Sequence, residues 1–325
     1  MTGRALRVLP ALLAGLLVLP ACAAADETPE RADDGFPLTV QDCDREFTIE
    51  QRPERILTMG STASTLMWAA GATGAITTRA FESVSDLGPA QAALEGVPLI
   101  SNDNDLTLEV ILGQDPDLVI TYGLNLTTQA DLAAAGIDSI VNSGFCDGDG
   151  SGPADGPVTF EDDVFPDIEL YGRIAGTEEA AEQKVAELRR RVAAVAEQPR
   201  NPEIITAAAI GLNGTNLRAY GVASLTHQQI ETLGLTDVFG DIPERLADVS
   251  VEEFIARDPD VVILLSGGGG VEKQPLETLR GLAEVAGVTA IRENRIIPLE
   301  SPYLLGGPLG VDGLEAMAEA VSGYR

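Results

Sequence analysis

Apolar residues in this chain fall into two kinds of pattern, short continuous runs and one long stripe at helical spacing. The runs at 55–59, 118–122, 139–141, 204–209, 261–265 and 296–299 carry apolar residues at successive positions and alternate with helical stretches. Runs without alternation predict strands buried on both faces, as in parallel sheets with crossover helices. Between the third and fourth runs, Ala181, Val185, Leu188, Val192 and Val195 recur at alternating steps of four and three. That spacing predicts one helix over 177–198 with a single buried stripe. Thr177 suits its N-cap, Glu178 and Glu179 its first turn, and Pro199 and Pro202 close it.

The pattern also repeats. The stretch from Thr107 through Glu109 to Asp115-Pro116-Asp117 and the run after it matches the stretch from Ser250 through Glu252 to Asp258-Pro259-Asp260, 143 residues later. Each copy starts with a hydroxyl residue fit to cap a helix, runs about two turns, stops at Asp-Pro, and enters a buried strand. Each half therefore holds its own unit. The predicted fold is α/β, two Rossmann-like lobes with mainly parallel sheets joined by one long α-helix: an N-terminal lobe over 36–176, the helix over 177–198, and a C-terminal lobe over 199–325. Ligands of such sheets sit outside the carboxyl ends of the strands. Two facing lobes would make a cleft there.

The first residues belong to targeting, not to the fold. Arg4 and Arg7, an apolar stretch from Leu9 to Val18, and Ala21 before Cys22 form a secretory signal over 1–22. The stretch is shorter than the roughly 20 apolar residues that a spanning helix needs. Leu19-Pro20-Ala21-Cys22 resembles a bacterial lipobox, which would make Cys22 the lipidated first residue of the mature chain; the other reading is cleavage a few residues later, near Ala25. Both readings export the protein, and the first holds it by a lipid anchor on the outer face of the cell membrane. Residues 23–35 are polar and read as a flexible tether. No later segment is apolar enough to cross a membrane.

The formal charge is −30, and it becomes two units more negative without Arg4 and Arg7. Such a chain repels nucleic acid and anionic headgroups, which excludes those partners. With Cys22 assigned to the anchor, Cys43 and Cys146 remain as a pair in an oxidising compartment, and a disulfide is the simple expectation. The single His227 and two thiols make no usual zinc set, so no metal site or cofactor is expected.

Other features carry little chemistry. No Gly-x-Ser-x-Gly elbow and no His-Glu-x-x-His helix occurs, so no catalytic residue is assigned. The glycines at 267–270 lack the following Gly-Lys-Ser/Thr of a phosphate loop, and read as a place of close approach. Residues 147–157 have Asp147, Asp149 and Ser151 but Val158 where a calcium loop needs Glu, so they read as an exposed loop. Glu109 and Glu252 suit a helix start in any protein. Their recurrence at the same point of both copies gives them further interest.

Pro53-Glu54-Arg55 opening a strand, the helical stretch from Thr62 to Gly71, Leu108-Glu109 leading to Asp115-Pro116-Asp117, the long middle helix and the second Asp258-Pro259-Asp260 unit together resemble the iron-siderophore and cobalamin binding proteins of ABC importers. The resemblance covers nearly all of 36–325. It implies a monomer of two lobes held by one rigid helix, with ferric siderophore or a related chelate as cargo, and a corrinoid or deazaflavin precursor as the alternative. It implies that Glu109 and Glu252 dock on arginines of the permease dimer. It implies a cleft lined by Ser61, Arg79, Phe81, Tyr122, Arg218, Tyr220 and Tyr303. Guanidinium groups there would face chelate oxygens and rings would cover the organic perimeter. Arg79 is expected to stand at a strand end facing solvent.

Overall fold

The structure, a computed structural model, describes residues 2–3, 35–82, 87–102, 106–146, 156–266 and 273–324, leaving aside the side chains of 273 and 274. Cys22, residues 23–34 of the tether, residues 147–155 and the glycines at 267–270 lie outside the described residues. Residues Gly35–Arg325 form one unit. Among the described residues, no helix is long and apolar enough to cross a membrane.

The unit opens with β1 (Leu38–Asp42) and β2 (Arg45–Ile49), an antiparallel hairpin whose turn holds Cys43. Asp42 is buried at its tip and accepts hydrogen bonds from Gln129 Nε2 at 2.9 Å and the Val141 N–H at 2.8 Å. These bonds fasten the hairpin to the sheet that follows. In that sheet β3 (Ile56–Met59), β4 (Ile76–Ala80), β5 (Leu118–Thr121) and β6 (Asp138–Val141) are all parallel, in the order β4-β3-β5-β6. Every residue of β3 and β5 is buried, as the continuous apolar runs require. The helices of this half are α1 (Ser61–Ala69), α2 (Gln91–Leu94), α3 (Leu108–Leu112), α4 (Gln129–Ala134) and α5 (Phe165–Ala175).

Next comes α6 (Glu178–Ala196), which buries Ala181, Val185, Leu188 and Val195 and half-buries Val192. Thr177 stands at its N-cap, but its hydroxyl donates to the Ala70 carbonyl at 2.7 Å instead of capping the helix.

The second half contains β7 (Thr206–Asn213), β8 (Asn216–Tyr220), α7 (Leu225–Thr232), β9 (Thr236–Asp237), β10 (Leu246–Val249), α8 (Val251–Arg257), β11 (Val261–Ser266), α9 (Lys273–Gly281), α10 (Thr289–Arg292), β12 (Ile296–Glu300) and α11 (Leu309–Gly323). Its sheet runs β10-β8-β7-β11-β12, with β9 beside β7. β7, β11 and β12 are parallel, whereas β8 is antiparallel to both β7 and β10. This sheet is therefore mixed at its β8–β10 edge, while its other pairs are parallel as expected. The cause is the two-residue reversal Gly214-Thr215 between the paired Asn213 and Asn216. Gly214 at φ 62° supplies the left-handed backbone that such a tight hairpin needs.

The repeated Asp-Pro-Asp units have the same mechanics in both halves. Asp115 (φ 51°) and Asp258 (φ 40°) take the left-handed conformation just beyond α3 and α8, which Asp tolerates better than most residues. Two residues on, the Asp117 carboxylate accepts the N–H groups of Glu54 and Arg55 at 3.0 and 2.9 Å. Asp260 accepts those of Ile205 and Thr206 at 2.9 and 3.0 Å. Each unit thus ends a helix and pins the start of the neighbouring strand.

The apolar core of the first half does not stop at α6. It continues through Leu225 of α7 and Val311, Leu314 and Ala318 of α11. Arg191 of α6 adds bonds to Asp312 at 2.7 Å and Glu315 at 2.6 Å on α11. Burial of one continuous core resists hinge opening between the sheets.

Cys43 and Cys146 are bridged, with Cα atoms 5.2 Å apart and a separation of 103 positions in sequence. Closing a loop of that length stabilises the folded chain by about 2–5 kcal/mol. In denatured, unreduced protein whose Cys22 is replaced by Ser, thiol titration should find no free thiol. Two free thiols would show that the pair is open in solution.

Candidate functional site

The carboxyl ends of the four parallel strands bring together a line of aromatic rings. Phe81 follows β4, Tyr122 follows β5, and Phe145 lies in the short turn Ser143–Phe145 after β6. Phe81 and Tyr122 have ring centroids 5.4 Å apart; Tyr122 and Phe145 are 5.1 Å apart and tilted by 48°. Gly60 at the end of β3 makes room for this line. It has φ 99°, and a Cβ there would stand 2.1 Å from Tyr122 Cδ1.

The second half contributes a cation to the same place. The Arg245 guanidinium, just before β10, lies 5.1 Å from the centre of the Phe145 ring. Burial holds the Tyr122 hydroxyl protonated far above its ordinary range, and the charge of Arg245 opposes that effect. Rings from one sheet and a guanidinium from the other thus share one half-buried locus. Such a locus can cover an organic perimeter and donate hydrogen bonds to oxygen atoms.

The sequence-derived cleft residues divide between this place and others. Phe81 and Tyr122 are half-buried and stand in the ring line. Ser61 is buried in the first turn of α1, one residue beyond Gly60, and its carbonyl accepts the Thr65 hydroxyl at 2.8 Å. Arg79 does not face solvent. It is only 6% exposed, bonded through Nη1 to Glu82 Oε2 and through Nε and Nη2 to the Val97 carbonyl at 3.2 and 3.0 Å. The other Glu82 oxygen accepts the Ser64 hydroxyl. Burial raises the Glu82 carboxyl above its usual range, opposed by the bond from Ser64 and by the charge of Arg79.

Arg218 spends its charge across the β8–β10 ladder, with Nε 3.2 Å from Asp248 Oδ1. Tyr220 is 3% exposed and packs in the core with Ile230 and Met317. Tyr303 is half-buried, and a Cβ on Gly88 would stand 3.2 Å from its hydroxyl. It therefore ties the exit of β12 to the first half. His227 sits in the first turn of α7 with Nδ1 2.9 Å from Asp237 Oδ2, a bond that raises its pKa despite burial. Among the described residues there is no cluster of three or more His, Cys, Asp or Glu able to hold a metal ion.

Phe145 and Arg245 were not found by the sequence reading. One signal existed for Arg245, because Pro243-Glu244-Arg245 repeats the Pro53-Glu54-Arg55 that opens β3. Nothing local marks Phe145, whose position depends on the disulfide beside it.

Glu109 and Glu252 are exposed, each in the first turn of its helix, α3 or α8. The Glu109 carboxylate is held below its usual range by its own backbone N–H and then by the Thr107 hydroxyl. Because α3 and α8 each feed directly into a parallel strand, their first turns lie towards the carboxyl ends of the strands. Val110 and Ile255 are exposed beside the two acids, at 43% and 38%.

A mainly parallel and a mixed sheet joined through one helix, with rings and a cation between them, describe a two-sided binding fold. A periplasmic binding protein family model matches residues 56–303, and the chain belongs to that family. It is a binding protein, not an enzyme. A crystal structure of an ABC-type Fe3+-hydroxamate transport system from Saccharomonospora viridis is 32% identical, with a TM-score of 0.76 over 88% of this chain and 99% of that one. A cobalamin-binding protein of Halobacterium salinarum is 24% identical over 98% of this chain and 84% of its own length. An uncharacterized ABC transporter substrate-binding lipoprotein of Bacillus subtilis is 20% identical over 96% of this chain and 95% of its own.

Proposed function

We propose that this protein is the cargo-binding lipoprotein of an ABC importer, anchored through Cys22 outside the cell membrane, and that it captures a ferric siderophore or similar chelate. The observation that carries the reading is the convergence of Phe81, Tyr122 and Phe145 with Arg245 at the strand ends. Phe81 and Tyr122 would cover the organic shell of the chelate, and Arg245 would donate to its oxygen atoms. Residues 36–176 and 199–325 would act as lobes on either side, with Glu109 and Glu252 meeting the permease. The likeness to the Fe3+-hydroxamate system supports this cargo. A second reading is a corrinoid, supported by the cobalamin-binding relative that matches almost the whole chain.

Calorimetric titration with a ferric trihydroxamate, a ferric tricatecholate, hemin and cyanocobalamin separates the two. Calorimetry suits this protein better than tryptophan quenching, because Trp68 stands beneath Lys184 Nζ, 5.2 Å away, and outside the ring line. Arg245→Ala should weaken the chelate that binds wild type by more than tenfold, about 1.4 kcal/mol. If cyanocobalamin alone bound, the siderophore reading would fail. If Arg245→Ala bound every chelate as wild type does, the site would lie elsewhere.

A further inference from the structure

We propose that Phe145 is a positioning residue for cargo binding, which sets the tilt of Tyr122 and the reach of Arg245 without touching cargo itself. The inference rests on the cargo reading above and adds a role for a side chain that is 1% exposed. Its ring has Tyr122 on one side, at 5.1 Å, and the Arg245 guanidinium also at 5.1 Å. Gly306, from the segment after β12, packs at its edge, where a Cβ would stand 3.6 Å from Phe145 Cε2. Phe145 is therefore a ring of the line that both halves of the molecule meet.

The backbone that carries Phe145 is fixed at each end. The buried Asp167 of α5 accepts the Ser143 N–H at 2.9 Å and the Ser143 hydroxyl at 2.6 Å. Asn142 accepts the Tyr171 hydroxyl at 2.7 Å through Oδ1, and its backbone carbonyl accepts the Phe145 N–H at 2.8 Å. On the far side, Cys146 is tied to Cys43. A ring held by so many bonds and excluded from solvent transmits its position to whatever packs on it. Tyr122 and Arg245 both pack on it.

Two measurements test this, one without cargo. Protons over the face of an aromatic ring are shielded, so the Arg245 Nε–H resonance, assigned by its loss in Arg245→Lys, should lie upfield in wild type. In Phe145→Leu it should move to the position of an unstacked arginine. In the second measurement, affinity for the ferric trihydroxamate should fall at least fivefold in Phe145→Leu. Asp167→Ala frees the turn while leaving the ring and the disulfide in place, and should cause a similar loss. Asp167→Asn, which keeps an oxygen for the Ser143 N–H, should restore most of it. The double variant Phe145→Leu with Asp167→Ala should lose no more than Phe145→Leu alone, since both act through one ring. Wild-type affinity in Phe145→Leu, or additive losses in the double variant, would overturn the proposal. If wild type bound none of the four chelates, the cargo reading would fail, and an unmoved Arg245 resonance in Phe145→Leu would still overturn the positioning role.

Discussion

Changing Glu109 and Glu252 together to Gln should leave cargo affinity in solution as it is and cut uptake through the permease at least tenfold. Both carboxylates are exposed and neither belongs to the ring line, so cargo should not sense them. Each stands at the first turn of a helix that precedes a parallel strand, one in each half, and both halves are tied to the same α6 and α11. A rigid frame with one acid on either side suits a dimeric partner that offers two arginines. Carboxylate–guanidinium bonds are charge-assisted and stronger where the interface excludes water, and the exposed Val110 and Ile255 beside the acids would help to exclude it. Glutamine keeps size and helix preference but loses the charge. Uptake of radiolabelled cargo by permease in liposomes is the measurement. Single changes should each cause a smaller loss, and wild-type uptake in the double variant would return the two acids to ordinary helix starts.

The internal repeat was the most legible part of the sequence, because Asp-Pro-Asp has a local mechanism that needs no tertiary context. Asp115 and Asp258 end their helices, and Asp117 and Asp260 reach backbone N–H groups of the adjacent strand in the same way. The α6 stripe was legible for a similar reason, since its period is a property of the helix itself. Strands β8 and β10 were not read as strands. They are short and partly exposed, and the run read at 204–209 stops before the Asn213-Gly214-Thr215-Asn216 reversal that joins β7 to β8.

Site residues were harder to read because strand-end position does not fix the direction of a side chain. Phe81 and Arg79 lie two residues apart, yet Phe81 joins the ring line while Arg79 turns inward to Glu82 and Val97. Tyr220 and Tyr122 are both strand-end tyrosines, and only Tyr122 stays half-exposed, since Tyr220 is covered by the α7 and α11 core. Arg245 and Phe145 owe their meeting to the packing of two halves and to a disulfide between positions 103 apart in sequence. No local pattern encodes a contact of that range.

Arg79→Ala should destabilise the fold by about 3 kcal/mol, within the range for removing one partner of a buried ion pair. The pair is well buried, with side-chain exposures of 8% for Arg79 and 6% for Glu82. Among the described residues, removing the guanidinium leaves Glu82 the Ser64 hydroxyl as its side-chain partner, which itself bonds Thr58 Oγ1 at 2.8 Å. It also frees the Val97 carbonyl. Glu82 already titrates above its usual range because of burial, and losing the opposing charge of Arg79 raises it further. The folded variant then holds a proton that the unfolded chain releases once pH passes the ordinary carboxylate range. Stability must fall as pH rises through that window, so the deficit relative to wild type grows with pH. Adding Glu82→Gln removes the stranded charge and should recover at least half of the loss at neutral pH. Urea denaturation of wild type, Arg79→Ala and the double variant at pH 5 and pH 8 would measure all of this. A variant with wild-type stability but weakened ferric trihydroxamate binding would place the guanidinium in contact with cargo and overturn the structural role given to it here.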